Sequence, residues 1–468
     1  MFPHERFPPG ADAGGSLANA PREQWSSRAG FVLAAIGSAV GLGNMWRFSY
    51  LTAEYGGAAF VILYLGVTLL VGLPVMLAEL TVGRGSQSSP VRALRHYGGD
   101  AWAPLGAVFV AAGFLILAYY SVIAGWTVRY ALGALTDGFG GDVGARFDEV
   151  SVGWDAAGFH LAFMLVTVWV VAGGVKGGIE RAAIVLMPVL LVLVTGLAIY
   201  ASTLDGAGPG YAYYLSADFE AVLSWKVLTQ AAGQAFFSLS LGMGAILTYA
   251  SYLGRDENLP ASAVVIAVSD MAVAFIAGLV VFPLIFALGL SATVIGTAGT
   301  ENDIQNVGAL FITLPGAFAE MGAAGRWVGT LFFAVLIVGA LTSAISLLEV
   351  VVSAAMDSLG WGRRRAAWIA GVSIAAMGLP AAWSTDVLGV MDGVATNLFL
   401  LAGALALSLF VGWRMQDPVA EASAGAGAVR WIFLWRTLLR FVVPAVLIFV
   451  LVQAVPDTLA SVANLFGG

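Results

Sequence analysis

The chain has 468 residues, of which 60% are hydrophobic and only 10% are charged, whereas about a quarter of an average soluble domain is charged. So little charge cannot cover the surface of a soluble protein of this size, and so much apolar surface excludes a disordered chain. The net charge of −7 argues against a nucleic-acid partner, and the lack of cysteine excludes disulfides and thiolate metal sites. The composition indicates a protein with many membrane spans.

A polar tail at residues 1–27 precedes eleven apolar stretches, each close to the roughly 20 residues that cross a bilayer as a helix. The spans must be helical because lipid offers the backbone no hydrogen-bond partners. We therefore predict an all-α membrane protein with spans at residues 28–50, 58–82, 102–133, 158–175, 181–202, 226–253, 261–290, 327–358, 366–383, 387–413 and 432–455.

Basic residues set the expected orientation of these spans. If the N-terminal tail is cytoplasmic, 16 of the 21 lysines and arginines fall on the cytoplasmic side. Such an excess is typical of the inner face of a membrane protein. We therefore predict a multi-pass protein of the cell membrane with a cytoplasmic N-terminus.

Glycine-rich segments interrupt the first and sixth spans, at residues 37–44 and 240–244. Because five spans separate them, the two halves of the chain would cross the membrane in opposite directions. Glycine-interrupted helices in corresponding places of inverted halves indicate a transporter site at mid-membrane, although either break alone would be explained by close helix packing. We predict repeats at 28–202 and 226–413, followed by an extra helix at 432–455.

A helix broken inside the membrane offers two kinds of ligand. Its free carbonyls can bind a cation, and the N-terminus of the following half-helix favours an anion. The breaks therefore predict co-transport of sodium with a solute that carries a carboxylate.

Several motifs lie within these spans, among them Gly-Ser-Ala-Val-Gly-Leu-Gly-Asn-Met-Trp-Arg-Phe at 37–48 and Gly-Leu-Pro-Val-Met-Leu-Ala-Glu at 72–79. Others are Phe-Phe-Ser-Leu-Ser-Leu-Gly-Met-Gly at 236–244 and Ala-Leu-Thr-Ser-Ala-Ile-Ser at 340–346. Together they resemble the neurotransmitter:sodium symporter family over residues 22–455, in its bacterial eleven-span amino-acid transporter form. The resemblance implies helices 1 and 6 broken at mid-membrane within an inverted five-plus-five repeat.

The resemblance implies two sodium sites as the only cofactor sites. The first would use the Ala39 carbonyl and the side chains of Asn44, Ser238 and Asp270. The second would use the carbonyls of Gly37, Val40 and Gly339 and the hydroxyls of Thr342 and Ser343. Oxygen ligands suit a hard cation. Taken alone, the two hydroxyls would be expected to bond to carbonyls of their own helix.

The resemblance also implies a substrate pocket, in which the amides of Gly41 and Gly43 and the Tyr120 hydroxyl hold a carboxylate. Without the resemblance, the apolar members of this set would be read as ordinary core. The full set is Ala39, Gly41, Gly43, Ile116, Tyr120, Ile123, Phe237, Ser240, Met243, Ser343 and Leu347. No spare charge lies among them, and methionine can re-pack around ligands of different shape. We therefore predict neutral aliphatic and aromatic amino acids as substrates.

Charged residues near the pocket match the gates of the family. Arg47 with Asp392 would form the outer gate. Arg22 with Asp357, packed by Trp25 and Tyr252, would form the inner gate. The alternative for each is a charge at a helix end that reaches the membrane surface. Two further acids, Glu79 and Glu349, are expected to bond to exposed backbone near the sixth span.

Asp270 stands where chloride-dependent members of the family carry asparagine, and Ala274 replaces their chloride-binding serine. A fixed carboxylate in this place can substitute for chloride, so the resemblance implies chloride-independent transport. The same carboxylate is a candidate proton carrier for the return of the empty transporter, which would give proton antiport. Gly178 and Pro188 mark either a family element that unwinds or an ordinary kink.

These observations predict sodium-coupled symport of neutral hydrophobic L-amino acids by alternating access. No nucleophile–base pair has enzyme-like spacing, so we do not expect an enzyme. The main alternative is an amino-acid sensor of the same fold that transports little. The expected partners are a neutral amino acid, Na⁺ and the lipid bilayer. The sequence does not decide whether the protein forms a homo-oligomer.

Overall fold

The computed structural model describes residues 22–217, 224–289, 309–427, 429 and 431–466, so most of the predicted tail lies outside the described residues. The described residues are mainly helical, with one isolated bridge between Gly57 and Ala217. The unbroken helices long and apolar enough to span a membrane are Ala58–Ser86, Asp100–Thr136, Gly153–Ala172, Val175–Ser202, Leu259–Ala287, Ala323–Leu359, Arg363–Trp383, Thr385–Arg414 and Ile432–Leu465. The predicted multi-pass helical fold is confirmed.

The first span is broken, as the sequence predicts. The helix Arg28–Ala39 ends where Val40 adopts an extended conformation (φ −77°, ψ 104°). The chain resumes as Gly43–Glu54, bent by 51° from the first segment. The break leaves backbone groups of residues 40–42 without the regular helical ladder.

The sixth span is broken more widely. Its two helical pieces are Trp225–Ser238 and Ala245–Ala250, which are 14 and 6 residues long. Three residues between them have positive φ: Ser240 at 54°, Gly242 at 78° and Gly244 at 74°. Glycine adopts this conformation without a steric penalty, whereas serine does not, so the conformation of Ser240 is held by its surroundings.

The span count differs from the expected eleven. In the described part of the chain, nine unbroken helices pass the length and hydropathy test, and the bent first pair makes a tenth. The sixth is not counted because its short pieces, Trp225–Ser238 and Ala245–Ala250, are separated by six residues, whereas the two pieces of the first span are only three residues apart. The same break that suggests a binding site in the sequence therefore removes the span from a count based on length.

Packing divides the spans into two groups around the breaks. The third, fourth, eighth and ninth spans contact one another, while the first, second, sixth and seventh form the neighbouring group. Short helices at Pro90–Gly98, Val143–Ser151, Ala207–Leu215, Leu314–Glu320 and Pro418–Ser423 connect the spans. Both broken spans belong to the second group, and both also contact the eighth span of the first group.

Several predicted boundaries differ from the structure, and the fifth span, for example, begins at Val175 rather than at 181. The eighth span covers 37 residues, Ala323–Leu359, rather than 327–358. The last span continues through Pro456 to Leu465, ten residues beyond the predicted end at 455. Backbone hydrogen bonds continue a helix beyond its apolar residues, so the helices are longer than the apolar segments in the sequence.

Candidate functional site

The two helix breaks are joined directly to each other. The Ser240 hydroxyl donates to the Ser38 carbonyl at 2.7 Å, and the Gln234 side-chain amide donates to the Gly43 carbonyl at 3.0 Å. The first bond satisfies a carbonyl that a continuous helix would have used itself, whereas the Gly43 carbonyl also accepts from the Phe48 N–H. The unwound segments therefore stabilise one another at the centre of the protein.

A cavity of about 320 Å³, measured out to its openings, lies between the breaks and the third and eighth spans. Its lining residues are Ser38, Ala39, Gly41, Gly43, Ile116, Tyr120, Phe237, Ser238, Ser240, Met243, Ser343 and Leu347. Ten of the eleven predicted pocket residues are among them. The exception is Ile123, which is buried but does not line the cavity. The lining contains no charged side chain.

One end of the cavity is polar because the first helix break presents its amides there. The Leu42 N–H donates to the Tyr120 hydroxyl at 3.2 Å. The Gly41 N–H is used differently, since it donates to the Asn44 side-chain oxygen at 3.0 Å. A β-carbon on Gly41 would lie 2.5 Å from the Ser343 hydroxyl oxygen and 2.9 Å from the Tyr120 hydroxyl oxygen, so glycine is required by space.

The three side chains predicted for the first sodium site form one buried hydrogen-bonded cluster, while Ala39, whose carbonyl was also predicted for it, lines the cavity. The Asn44 side-chain nitrogen lies 2.7 Å from Asp270 Oδ1 and 3.0 Å from Ser238 Oγ. Ser238 donates to Asp270 Oδ2 at 2.7 Å, and Tyr64 donates to the same oxygen at 3.2 Å. Asn44, Asp270 and Tyr64 are fully buried. These oxygen atoms fit a hard cation, and Asp270 supplies negative charge.

The side chains predicted for the second site lie where the eighth span meets the first break. Ser343 Oγ is 3.4 Å from the Gly37 carbonyl and 3.3 Å from the Ser38 carbonyl. Thr342 instead donates to the Gly339 carbonyl of its own helix at 3.0 Å. Ser343 thus reaches across to the first span, while Thr342 makes the local bond that is common for threonine in a helix.

In the described part of the chain, no group of three or more His, Cys, Asp or Glu side chains could hold a metal ion together. Any cation in the cavity region would therefore be held mainly by neutral oxygens with one carboxylate. That donor set is suited to a weakly bound monovalent ion rather than to a permanently held transition metal.

Phe237 and Arg47 lie together at the side of the cavity that the sequence predicts to face outward, called the outer side. The Arg47 guanidinium lies 5.4 Å from the centre of the Phe237 ring, within range of a cation–π interaction. Asp392 accepts hydrogen bonds from Tyr119 at 2.7 Å and from Thr396 at 3.1 Å. No ion pair within 4.0 Å joins Arg47 to Asp392 among the described residues. The two predicted gate residues are therefore near the same outlet but not paired.

The side of the cavity that the sequence predicts to face the cytoplasm, called the inner side, has a direct ion pair. Arg22 binds Asp357 at 2.9 Å and also donates to the Ser251 hydroxyl at 2.9 Å. Its guanidinium lies 4.7 Å from the centre of the Tyr252 ring. The Trp25 indole donates to the Tyr249 carbonyl at 2.9 Å. All four predicted inner-gate residues are thus brought together.

Glu79 and Glu349 were expected to share one role, and the structure separates them. Glu79 is fully buried and accepts from the backbone N–H groups of Gly242 at 2.8 Å and Leu247 at 3.1 Å, as predicted. The prediction for Glu349 is wrong, because it accepts from the Tyr252 hydroxyl at 2.5 Å and pairs with Arg363 at 2.7 Å. Glu349 therefore lies beside Tyr252, one of the predicted inner-gate residues.

A second polar cluster supports the inner side. Arg84 is fully buried and bonds to Glu421, to the Glu257 carbonyl at 2.7 Å and to the Ala424 carbonyl at 2.8 Å. Glu257 in turn pairs with Arg28 at 2.9 Å. The cluster joins the starts and ends of several spans at the end where the first helix begins. Nearby, burial raises the pKa of Tyr97 to about 12, so its hydroxyl stays protonated.

A buried, uncharged cavity between two broken membrane helices, with a polar cluster beside it and charged groups at both outlets, defines a membrane transporter for a small solute. Comparison with known proteins agrees with this class. The model of the sodium:neurotransmitter symporter family matches residues 22–141 and 150–464. The chain belongs to the sodium:neurotransmitter symporter family.

Individual relatives cover nearly the whole chain. An uncharacterized sodium-dependent transporter, YhdH, of Bacillus subtilis is 34% identical over 92% of this chain and 97% of its own length. The uncharacterized sodium-dependent transporter MJ1319 of Methanocaldococcus jannaschii is 33% identical over 91% of this chain and 89% of its own. The crystal structure of MhsT in complex with L-phenylalanine superposes with a TM-score of 0.83 at 43% identity, covering 92% of this chain and all of that one.

Several residues at the site were not predicted from the sequence. Leu42 provides an amide at the cavity, Ser38 joins the two breaks, and Tyr64 and Gln234 bond to the buried cluster and to the break. The position of Leu42 between two glycines was a usable signal, since an unwound segment exposes the amide of each of its residues. Tyr64 and Gln234 gave no comparable signal, because both stand in ordinary helical sequence.

Proposed function

We propose that this protein couples the inward movement of Na⁺ to the uptake of neutral hydrophobic L-amino acids by alternating access. The observation that carries the proposal is the uncharged cavity between the two helix breaks, which is lined by Ile116, Met243 and Leu347 beside a polar end. An acidic or basic side chain in this cavity would be buried without a partner, which is strongly unfavourable. The ligand of the related MhsT, L-phenylalanine, is a neutral hydrophobic amino acid.

The polar end of the cavity supports an orientation for the substrate. Its carboxylate would accept hydrogen bonds from Tyr120 and from amides of the first break, where Leu42 takes the place expected of Gly41. Its amino group would bind carbonyls near Ala39, Phe237 and Ser240. The side chain would then extend into the apolar part of the cavity.

Two sodium ions are proposed as co-transported ions. One would enter the cluster of Asn44, Ser238 and Asp270, where the Asn44 amide would turn its oxygen from the Gly41 N–H toward the ion. The other would lie between Ser343, Thr342 and the carbonyls of the first break, with Gly37, Val40 and Gly339 contributing backbone oxygens. Binding would connect the first span to the sixth, seventh and eighth spans.

Transport is proposed to be independent of chloride because Asp270 already places a carboxylate in the ion cluster. Positive ions in a low-dielectric site need a compensating negative charge. Ala274 lies one helical turn beyond Asp270 and is fully buried, so it offers no hydroxyl to an anion. After sodium leaves, Asp270 is the group proposed to carry a proton outward, and this step would make the return pH-dependent.

The proposed cycle assigns a task to each end of the protein. Arg22 and Asp357 keep the inner outlet closed while the cavity loads from outside, with the N-terminus on the cytoplasmic side. Phe237, Arg47 and Asp392 would close the outer outlet over the substrate. The group of the first, second, sixth and seventh spans would then rock against the rest of the protein and open the inner side.

Uptake into proteoliposomes tests the proposal. With an inward Na⁺ gradient, labelled leucine and phenylalanine should accumulate, and K⁺ or Li⁺ should substitute poorly. Thr342→Ala with Ser343→Ala should raise the sodium concentration for half-maximal uptake. Tight, sodium-dependent binding without any accumulation would favour the amino-acid sensor instead, and accumulation without a sodium gradient would contradict the proposal.

One variant of the pocket tests the substrate range, and a pair of variants of the ion cluster tests the chloride independence. Met243→Phe should shift selection toward smaller aliphatic substrates if the flexible methionine admits aromatic ones. Asp270→Asn, alone and with Ala274→Ser, should be compared in chloride and in gluconate. Activity that returns only with chloride supports the role of Asp270, and chloride dependence of the unmodified protein contradicts it.

A further inference from the structure

Three arginines meet where the tenth span ends and the eleventh begins. Arg436 and Arg440 lie one helical turn apart on the eleventh span, and Arg414 is the last residue of the tenth. Arg440 Nε donates to the Gly412 carbonyl at 2.7 Å, and Arg436 Nε lies 3.4 Å from the same oxygen. Two guanidinium groups therefore converge on one carbonyl at the C-terminal end of a helix.

This arrangement is built by the fold rather than by chance proximity. A β-carbon on Gly412 would lie 3.1 Å from Arg440 Cγ and 3.2 Å from the Leu439 carbonyl, which is tighter than ordinary packing. The Arg440 guanidinium also lies 5.0 Å from the centre of the Trp413 ring, and the Trp413 indole lies 3.4 Å from the Arg440 carbonyl. Close backbone approach and ring stacking together hold Arg440 in place.

The charges at this junction are not neutralised by the protein. Across the described residues, no acidic side chain lies within 4.0 Å of Arg414, Arg436 or Arg440. The nearby Glu421 is already paired with the buried Arg84. The Nε atoms of Arg436 and Arg440 cap the end of the tenth span by binding the Gly412 carbonyl. This capping leaves the terminal nitrogens of both, and the whole of the exposed Arg414, available to an anion.

The surroundings indicate where such an anion comes from. Exposed apolar side chains flank the arginines on the outer surface of the bundle: Trp413 at 56%, Phe433 at 74%, Leu434 at 58% and Phe441 at 58% exposure. Trp413 and Phe441 contact each other edge to face at 5.5 Å. Aromatic and aliphatic side chains beside unpaired arginines at the end of a membrane span favour a ligand with a charged head and acyl chains.

We propose that Arg414, Arg436 and Arg440 bind the phosphate of an anionic phospholipid at the junction of the tenth and eleventh spans. The phosphate would accept hydrogen bonds from the terminal guanidinium nitrogens, and the acyl chains would lie along Phe433, Leu434 and Phe441. The site is separate from the transport cavity and does not depend on the transported solute.

Native mass spectrometry of the delipidated full chain in detergent, titrated with phosphatidylglycerol, tests the proposal. Arg414→Gln removes a charge without a hydrogen bond to the protein, and we expect about fivefold weaker binding, equivalent to about 1 kcal/mol for one arginine near an anionic head. Arg436→Gln with Arg440→Gln should weaken binding further. Arg364→Gln, an exposed arginine outside the junction, is the matched control and should bind like the unmodified chain.

The competing explanations give different results. Phosphatidylcholine should bind weakly, and millimolar inorganic phosphate should not displace phosphatidylglycerol. Equal binding of phosphatidylcholine, or a loss in Arg364→Gln as large as in Arg414→Gln, would overturn the site. Displacement by inorganic phosphate would also overturn it, in favour of a free anion. Because Arg414 is exposed and makes no hydrogen bond within the described structure, its variant keeps the test valid even if the double variant fails to fold.

Discussion

The two outlets of the cavity are closed by different kinds of contact. At the inner end, Arg22 and Asp357 pair at 2.9 Å, and Glu349 pairs with Arg363 at 2.7 Å. At the outer end, Arg47 stacks on a ring while Asp392 is held by neutral hydroxyls. Separating the residues at the inner end therefore requires breaking charged contacts, whereas at the outer end no ion pair among the described residues joins Arg47 to Asp392. A ligand can shift this balance only by binding the two states with different affinity.

The largest effect is expected when the inner pair is removed. Asp357→Asn weakens the bond to Arg22 and should shift the population toward open inner outlets by roughly tenfold, or about 1.4 kcal/mol. Because the natural chain has no cysteine, the opening can be read from labelling of a single reporter, Ala35→Cys, in the buried inner half of the first span. Asp417→Asn, at an exposed acid without an ion pair in the described structure, should leave labelling unchanged.

A smaller effect is expected when Tyr252, the neighbour of Arg22, is changed. Tyr252→Phe removes the 2.5 Å hydrogen bond to Glu349 but leaves the ring beside Arg22. We expect labelling of the same reporter to rise about fivefold, since a hydrogen bond to a charged group contributes about 1 kcal/mol or more. Tyr200→Phe at the opposite end of the fifth span is the control. An unchanged rate would place Glu349 outside the inner gate.

Replacing the outer carboxylate, Asp392, should have a smaller effect than either change at the inner end. Asp392→Asn keeps an oxygen that can accept from Tyr119 and Thr396, and it breaks no ion pair. We expect leucine affinity to fall about threefold, as measured by equilibrium binding, with no change in inner labelling. Labelling as high as in Asp357→Asn would contradict the difference between the two ends.

The smallest effect is expected for Arg47→Lys. Lysine keeps the charge over Phe237 but lacks the planar group that stacks on a ring. The loss of about 0.5 kcal/mol corresponds to roughly twofold weaker substrate binding in the same equilibrium assay. A loss greater than that of Asp392→Asn would show that the cation, rather than the carboxylate, dominates the outer end.

The sequence predicted the breaks and the cavity well because glycines and buried charges are rare inside spans and their positions carry information. Ten of the eleven pocket residues line the cavity, and the apolar ones among them were predicted from the family resemblance rather than from the glycines or the charges. Details that depend on the path of the unwound chain were less predictable. Asn44 takes the Gly41 amide, which leaves Leu42 facing Tyr120. Residues outside a helix follow no periodic pattern, so the direction of their backbone groups cannot be predicted from spacing.

Contacts between residues that are far apart in the sequence were also difficult to predict. Glu349 was assigned to backbone because buried acids often bond to broken helices, yet Tyr252 and Arg363 reach it first. Ile123 was placed in the pocket, but it does not line the cavity. It lies on the same helix face as Ile116 and Tyr120, so its position along the third span, and not the rotation of the helix, separates it from the lining.

The buried Arg84 has a consequence for protein engineering. In the sequence, residues 415–427 resemble an ordinary connecting loop, in which a fluorescent protein or an affinity tag would normally be tolerated. Arg84 instead ties Glu421 and the carbonyl of Ala424 to the end of the second span. An insertion there would separate these groups and leave a buried charge without partners. The exposed turn at residues 140–142 is the better place for a reporter domain.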